Sequence, residues 1–310
     1  MDELGLIRLL TRDLALTPAV KVGAGDDCAV LDVGIPDRYV LLKADAVVEG
    51  IHFLADTPPR KIGHKALGRC LSDIAAMAGT PGSALVTIGL PRRFDPQQVT
   101  AIYAGMNALA RRYEMAVVGG ETTTNPDRIF LSVAVLGTVA RDKCVLRSGA
   151  KPGDAIFVTG QLGGSLAGKH LEFDPRLAEA RWLADRFTVH SMIDLSDGLA
   201  TDLRHVLTAS QVGAEIRSQA IPISAAAKRE TRAGDSTKTP LLAALTDGED
   251  FELLFTLAGR QAVPLLDAWK TQFPALPLSC IGKITTAPGL KLRDPGGVRD
   301  LTAEGYVHFA

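Results

Sequence analysis

Acidic residues recur where the apolar segments of this sequence end: Gly25-Asp26-Asp27, Asp45 ahead of Glu49-Gly50, Asp73 in Leu71-Ser72-Asp73, Gly119-Gly120-Glu121, and Asp194-Leu195-Ser196-Asp197-Gly198. A single aspartate at a strand end is ordinarily a turn former or a helix N-cap. Five such places in one chain suggest more. Carboxylates that converge raise one another's pKa values and destabilise a fold unless cations neutralise them. Hard oxygen donors of this kind suit Mg²⁺ or Mn²⁺ rather than zinc. Magnesium held by carboxylates keeps waters and completes its shell with phosphate oxygens, so a nucleotide or another phosphorylated substrate is the companion to expect.

Glycine placement agrees with that chemistry. Gly23-Ala24-Gly25, Gly119-Gly120 and the turn Gly160-Gln161-Leu162-Gly163-Gly164-Ser165 each let backbone approach an anion, although the same glycines also suit ordinary turns. The run from Gly163 to Lys169 nearly spells a P-loop, but His170 stands where a hydroxyl must ligate magnesium, and no Walker-type aspartate follows. Lys169 is therefore expected to be a solvated helix residue. No His-Glu-x-x-His and no Gly-x-Ser-x-Gly arrangement is present, which disfavours zinc-dependent and serine hydrolases.

The elements that must position these residues can be read from composition and periodicity. With 310 residues and 46% hydrophobic composition, the chain supplies two ordinary soluble cores. Lys plus Arg is 34 against 35 for Asp plus Glu, a net charge of -1 that gives no reason to expect nucleic acid or an anionic membrane as partner. The longest nearly apolar run, Val133 to Ala140, falls far short of the ~18 residues that span a bilayer. Met1-Asp2-Glu3-Leu4 is acidic where a secretory signal is basic, and Cys28, Cys70, Cys144 and Cys280 show no pairing or zinc-finger spacing. A cytoplasmic protein with reduced thiols is expected.

Strands are predicted at Cys28 to Val33 and Tyr39 to Ala44, around the turn-forming Gly34-Ile35-Pro36-Asp37. Leu67, Leu71, Ile74 and Ala78 fall on one face of a helix that follows Pro58-Pro59. Next come a strand at 84–90, a helix at 96–113, and strands at 115–118 and 129–139. The punctuated stretch Arg147 to Asp154 puts a domain boundary near residue 140, giving domains of residues 1–140 and 141–310. In the second, strands are expected at 155–159, 192–195, 213–218, 251–257 and 278–284, with a helix burying Leu199, Leu203, Val206 and Leu207. Arg229 to Pro240 reads as a mobile surface loop. The fold class is α/β or α+β.

Several of these segments, in order, resemble the thiamine-monophosphate kinase family, part of a superfamily with aminoimidazole ribonucleotide synthetase. The resemblance rests on Gly25-Asp26-Asp27-Cys28-Ala29-Val30-Leu31, on Asp45 through Glu49-Gly50-Ile51-His52-Phe53, and on Leu71-Ser72-Asp73-Ile74-Ala75-Ala76-Met77. It continues through Gly119-Gly120-Glu121-Thr122, Arg147 to Asp154, Asp194 to Leu199, Gly248-Glu249-Asp250-Phe251-Glu252-Leu253 and Gly305-Tyr306-Val307-His308-Phe309. It implies an aminoimidazole-ribonucleotide-synthetase-like fold: an N-terminal metal- and ATP-binding domain whose sheet pairs across a homodimer, and a C-terminal α/β domain that completes the substrate cleft. The implied reaction is ATP-dependent phosphorylation of thiamine monophosphate, with several Mg²⁺ ions and no general base.

By the same resemblance, the metal ligands are Asp26, Asp27, Asp45, Asp73, Glu121, Asp194 and Asp197. Gly120, Glu121, Arg147, Ser196 and Tyr103 fall to ATP, although Tyr103 read by itself is a helical core residue. His52, Glu249 and Tyr306 fall to the cationic heterocycle of the acceptor. Two positions depart from the family pattern: Glu121 replaces a usual Asp, and Ala44, preceded by Lys43, replaces a usual hydroxyl residue before Asp45. The alternatives are an ATP-dependent synthetase of the same superfamily, or a nucleotide-binding homologue weakened in turnover.

Overall fold

The computed structural model of the chain describes residues 3–234, 236–303 and 305. Helix α1 (Glu3–Thr11) comes first, followed by strands β1 (Val20–Val22), β2 (Ala29–Leu31) and β3 (Arg38–Val48). Helix α2 (Pro59–Ala76) then leads into β4 (Thr80–Leu90), α3 (Pro96–Arg112), β5 (Ala116–Thr124) and β6 (Phe130–Ala140). These six strands form one sheet in the order β1-β2-β3-β6-β4-β5, antiparallel except for the parallel pair β4–β5. Alternate residues such as Leu131, Val133 and Val135 of β6 are buried, as period-two patterning requires.

Helix α2 is buried nearly all round, because it packs on the sheet and on α3. Pro59 starts it, where a missing N–H costs nothing. Its packing on α3 needs two glycines: a Cβ on Gly63 would meet the Ile102 carbonyl oxygen at 1.9 Å, and one on Gly105 the Arg60 carbonyl oxygen at 1.9 Å. The helix stops two residues short of the expected Ala78, which adopts a left-handed φ of 56°.

The second sheet contains β7 (Asp154–Thr159), β8 (Val189–Asp194), β9 (Gly213–Arg217), β10 (Leu253–Ala258), β11 (Leu278–Thr285), β12 (Gly289–Asp294) and β13 (Gly297–Asp300). Its order is β13-β12-β9-β11-β7-β10-β8, with β9–β12 the parallel pair. Interleaved are α4 (Leu177–Arg186), α5 (Leu199–Ser210), α6 (Ala225–Ala233), α7 (Pro240–Thr246) and α8 (Ala262–Gln272). Ile156, Val158, Ile193 and Leu254 of the sheet form one core with Leu199, Leu203 and Val206 of α5. Trp182 of α4 and Trp269 of α8 meet edge to face, with ring centroids 5.8 Å apart.

The expected loop at Arg229 to Pro240 is helical over its first five residues and turns irregular only between α6 and α7. Ser224 caps α6 by accepting from Ala227 N at 3.0 Å, α6 runs to Ala233, and Thr239 caps α7. The charges of α6 lie on its solvent face and hid the helix in the sequence. The strand expected at 115–118 continues to Thr124, because its parallel partner β4 pairs with it through Gly119 and Gly120.

The chain divides into two compact units. The first unit comprises Pro18–Cys144 with His170–Ala178, and the second Met1–Thr17, Val145–Lys169 and Glu179–Ala310. Among the described residues, no helix is long and apolar enough to cross a membrane.

Candidate active site

In the first unit, β3 presents Lys43 and Asp45 two residues apart, hence on one face of the strand. The last turns of α2 bring Asp73 to that face. Lys43 Nζ donates to Asp73 Oδ1 at 2.7 Å and lies 3.6 Å from Asp45 Oδ1. Asp27 and Asp73 offer carboxylate oxygens within 4.8 Å of each other. The Gly25-Asp26-Asp27 turn is pinned by Asp27 N donating to Asp26 Oδ1 at 3.0 Å and by Cys28 N donating to Met77 Sδ at 3.1 Å. Asp27 is 1% exposed and Asp73 6%. Burial opposes the Lys43 charge, but Asp73, Asp45 and Asp27 outweigh it and hold the ammonium well above the ordinary lysine value.

Asp27, Asp45 and Asp73 thus act together on one ammonium. The donors are all carboxylate oxygens, the set that suits a hard divalent cation.

A cleft of about 340 Å³ in the same unit is lined by Val86, Tyr103, Asn107, Val117, Gly119, Gly120, Glu121 and Thr122. Tyr103 is half-buried, and burial raises its hydroxyl pKa. Glu121 is exposed on β5. Gly120 is required where it stands: with φ at 151°, a Cβ would meet the Val86 carbonyl oxygen at 1.8 Å.

His52 Nδ1 accepts from the Val48 backbone N–H at 3.1 Å, which fixes that nitrogen as unprotonated and leaves Nε2 as the donor of the neutral ring. The His52 carbonyl in turn accepts from Lys65 Nζ at 2.6 Å, and Lys65 is fully buried. Glu49 Oε2 accepts from Ile129 N at 2.9 Å and holds the same turn. Motif reading assigned no role to Lys43, noted only as the residue before Ala44, or to Lys65. Lys65 lies in the helical repeat, and Lys43 differs by two from Asp45, a strand-face spacing visible in the sequence.

In the second unit, Asp194 ends β8 and Asp197 follows in the turn before α5. Asp202, one turn into α5, accepts from Asp197 N and Gly198 N through Oδ2 at 3.1 Å each and so fixes the loop. Burial, then Asp197 and Asp194, push the Asp202 pKa well up. Asp197, Asp202 and His205 each place a donor atom within 4.8 Å of the others. The segment carrying Glu249 is woven onto the same loop: Glu249 N donates to the Ser196 carbonyl at 2.7 Å and Phe251 N to that of Leu195 at 2.8 Å. Glu249 and Phe251 adopt left-handed φ values of 52° and 50°. Such strain persists only where surrounding bonds over-determine it. Arg147 is half-buried, and its charge acts on Asp202. Gly305 N donates to Thr201 Oγ1 at 2.8 Å, while Tyr306 lies outside the described residues.

Two expectations about the Gly160 to Lys169 segment need correction. Its N–H groups face the chain's own acids: Gly163 N donates to Asp250 Oδ2 at 3.0 Å and Gly164 N to Asp247 Oδ2 at 2.9 Å. No anion is needed to satisfy them. Lys169 is not merely solvated, since its Nζ lies 2.8 Å from Oε1 of Glu252, a residue 1% exposed.

Comparison with known proteins decides the family. Residues 25–139 match the model of the AIR synthase related protein N-terminal domain. The thiamine-monophosphate kinase of Rhodopirellula baltica is 38% identical over 98% of this chain and 96% of its own. That of Bacillus subtilis is 33% identical over 100% of both. The chain belongs to the thiamine-monophosphate kinase family. The solved complex of AaThiL with AMPPCP and TMP superimposes with a TM-score of 0.83 at 29% identity, covering 99% of this chain and 97% of that one.

Burial and neighbouring carboxylates disfavour thiol chemistry at Cys28 and Cys144. Burial, then Asp73 and Asp27, push the Cys28 thiol well above its usual pKa, and burial followed by Asp26 pushes Cys144 up to about 12. Neither is poised as a thiolate nucleophile.

Proposed function

We propose that this chain transfers the γ-phosphoryl group of ATP to the phosphate of thiamine monophosphate, releasing thiamine diphosphate and ADP. The observation that carries the reading is the gathering of Asp27, Asp45 and Asp73 around Lys43 in a chain whose full-length relatives are thiamine-monophosphate kinases. A phosphate monoester has a second pKa near ~6, so at neutral pH the acceptor is already a nucleophile and asks for no general base. The obstacle is repulsion between two polyanions, and positioning with charge stabilisation is what phosphoryl transfer requires of its protein.

The magnesium ligands we assign are Asp26, Asp27, Asp45, Asp73 and Glu121 of the first unit and Asp194 and Asp197 of the second. Several ions bound there would supply charge neutralisation for the phosphates. Tyr103, Gly120 and Glu121 serve the nucleotide, with Arg147 as a charge-assisted donor and Ser196 as a further contact. His52 offers its Nε2 proton, and Glu249 and Tyr306 offer a carboxylate and an aromatic face to the thiazolium cation. Residues 1–140 carry most of the metal and nucleotide role, and residues 141–310 add Arg147, Asp194, Ser196 and Asp197 and complete the acceptor's surroundings.

We also propose a homodimer working in the cytoplasm. Leu42 of β3 and Leu136 of β6 pair in register, and with Leu85 and Val118 they are exposed on the sheet at 44, 45, 52 and 62%. A second copy of the sheet would cover this apolar surface.

The test is incubation of the purified chain with ATP, MgCl₂ and thiamine monophosphate, with chromatography of the products. Thiamine diphosphate and ADP in equal amounts are expected. Magnesium-dependent ATP binding without thiamine diphosphate would leave the binding-only homologue, and ADP formed only with a synthetase substrate would leave the synthetase.

A further inference from the structure

Between residues 43 and 46 of β3 the polar side chains are Lys43 and Asp45 alone, because Ala44 and Ala46 carry no donor. The strand therefore places a cation, and no neutral oxygen, beside its carboxylate. Lys43 Nζ sits 2.7 Å from Asp73 Oδ1 and 3.6 Å from Asp45 Oδ1. A magnesium ion held by these carboxylates would compete for the space and charge that the ammonium occupies.

We infer that Lys43 is a resident counter-cation that takes the place of one divalent ion between Asp45 and Asp73, so that the chain binds one ion fewer than its carboxylates would otherwise hold. The inference deepens the magnesium-nucleotide reading and rests on it. Lys43 is a positioning residue: it holds two acids at a fixed separation without metal. Its replacement by a neutral side chain leaves those acids open to a divalent cation.

The test uses the full chain as unaltered protein, as Lys43→Met and as Lys43→Gln, the latter keeping a hydrogen-bond donor without the charge. Bound Mn²⁺ is counted by electron paramagnetic resonance in the presence of AMPPCP, and melting temperature is recorded in EDTA and in MgCl₂. Each variant is expected to bind one Mn²⁺ more per chain than the unaltered protein and to gain more melting temperature from Mg²⁺. Variants that fold only with Mg²⁺ support the inference equally, since one cation has replaced another. Equal ion counts and equal Mg²⁺ responses overturn it, as does failure of both variants to fold with Mg²⁺ present. Thiamine diphosphate formation by the same unaltered preparation separates the two readings: product with unchanged ion counts sinks the role of Lys43 alone, and raised counts without product sink the kinase reading alone.

Discussion

Gly25-Asp26-Asp27 and Gly248-Glu249-Asp250 look alike as sequence, yet their final aspartates do opposite work. Asp27 lies beside Asp73 and acts with it and Asp45 on the Lys43 ammonium, an all-carboxylate set. Asp250 accepts the Gly163 N–H with both carboxylate oxygens, at 3.1 and 3.0 Å, and so satisfies the chain's own backbone. Asp202 does the same for Asp197 and Gly198. An acidic-glycine motif is thus ambiguous between a cation site and a backbone clamp. What separates them is whether N–H groups or other carboxylates lie opposite.

The sharpest way to break that contrast is to neutralise one member of each kind. Asp73→Asn keeps the shape of the side chain and removes a charge assigned to phosphate neutralisation. Turnover should fall by at least about a hundredfold, while circular dichroism and melting temperature stay close to those of the unaltered protein. A variant with near-normal kcat would remove Asp73 from the metal set. Asp202→Ala should act the other way round. It leaves the N–H groups of Asp197 and Gly198 without their acceptor inside the protein, at a cost of about 1–3 kcal/mol in denaturant unfolding. Unchanged stability would show that Asp202 does not clamp the loop.

The parts legible in the sequence were those with local causes. The α2 helix follows from its 3.6-residue apolar repeat and from Pro59, and β3 and β6 from alternation. Asp45 and Asp73 stood out because they end apolar segments. What stayed hidden depends on partners far along the chain. β5 continues through two glycines because β4 pairs with it, and α6 is a short charged helix, capped by Ser224 and ended at Gly234, in a stretch whose composition reads as loop. The glycine turn at 160–165 was expected to approach an anionic ligand, and that its N–H groups instead meet Asp250, 87 residues away from Gly163, no local pattern could say.

Asp250 also gives the gentlest test, through pH. Burial, reinforced by Glu252 and Asp247 and opposed by Lys169 and the Gly163 N–H, raises its pKa to about 7. In the unfolded chain it returns to the ordinary value near ~3.9. Below that value both states hold the proton and the group's contribution to stability is fully present. Between about pH 4 and pH 7 the folded state keeps a proton that the unfolded state has lost, so stability falls as pH rises, by up to about tenfold in the folding equilibrium per unit. Above pH 7 the loss is complete. Asp250→Asn keeps an oxygen for the Gly163 N–H and has nothing to titrate. The variant should therefore lose less stability than the unaltered protein between pH 5 and pH 8 in urea melts, with turnover within a few-fold at pH 7. Parallel pH curves for the two proteins would show that Asp250 is already ionised in the fold, and the distinction between clamp and cation site would then rest on Asp202 alone.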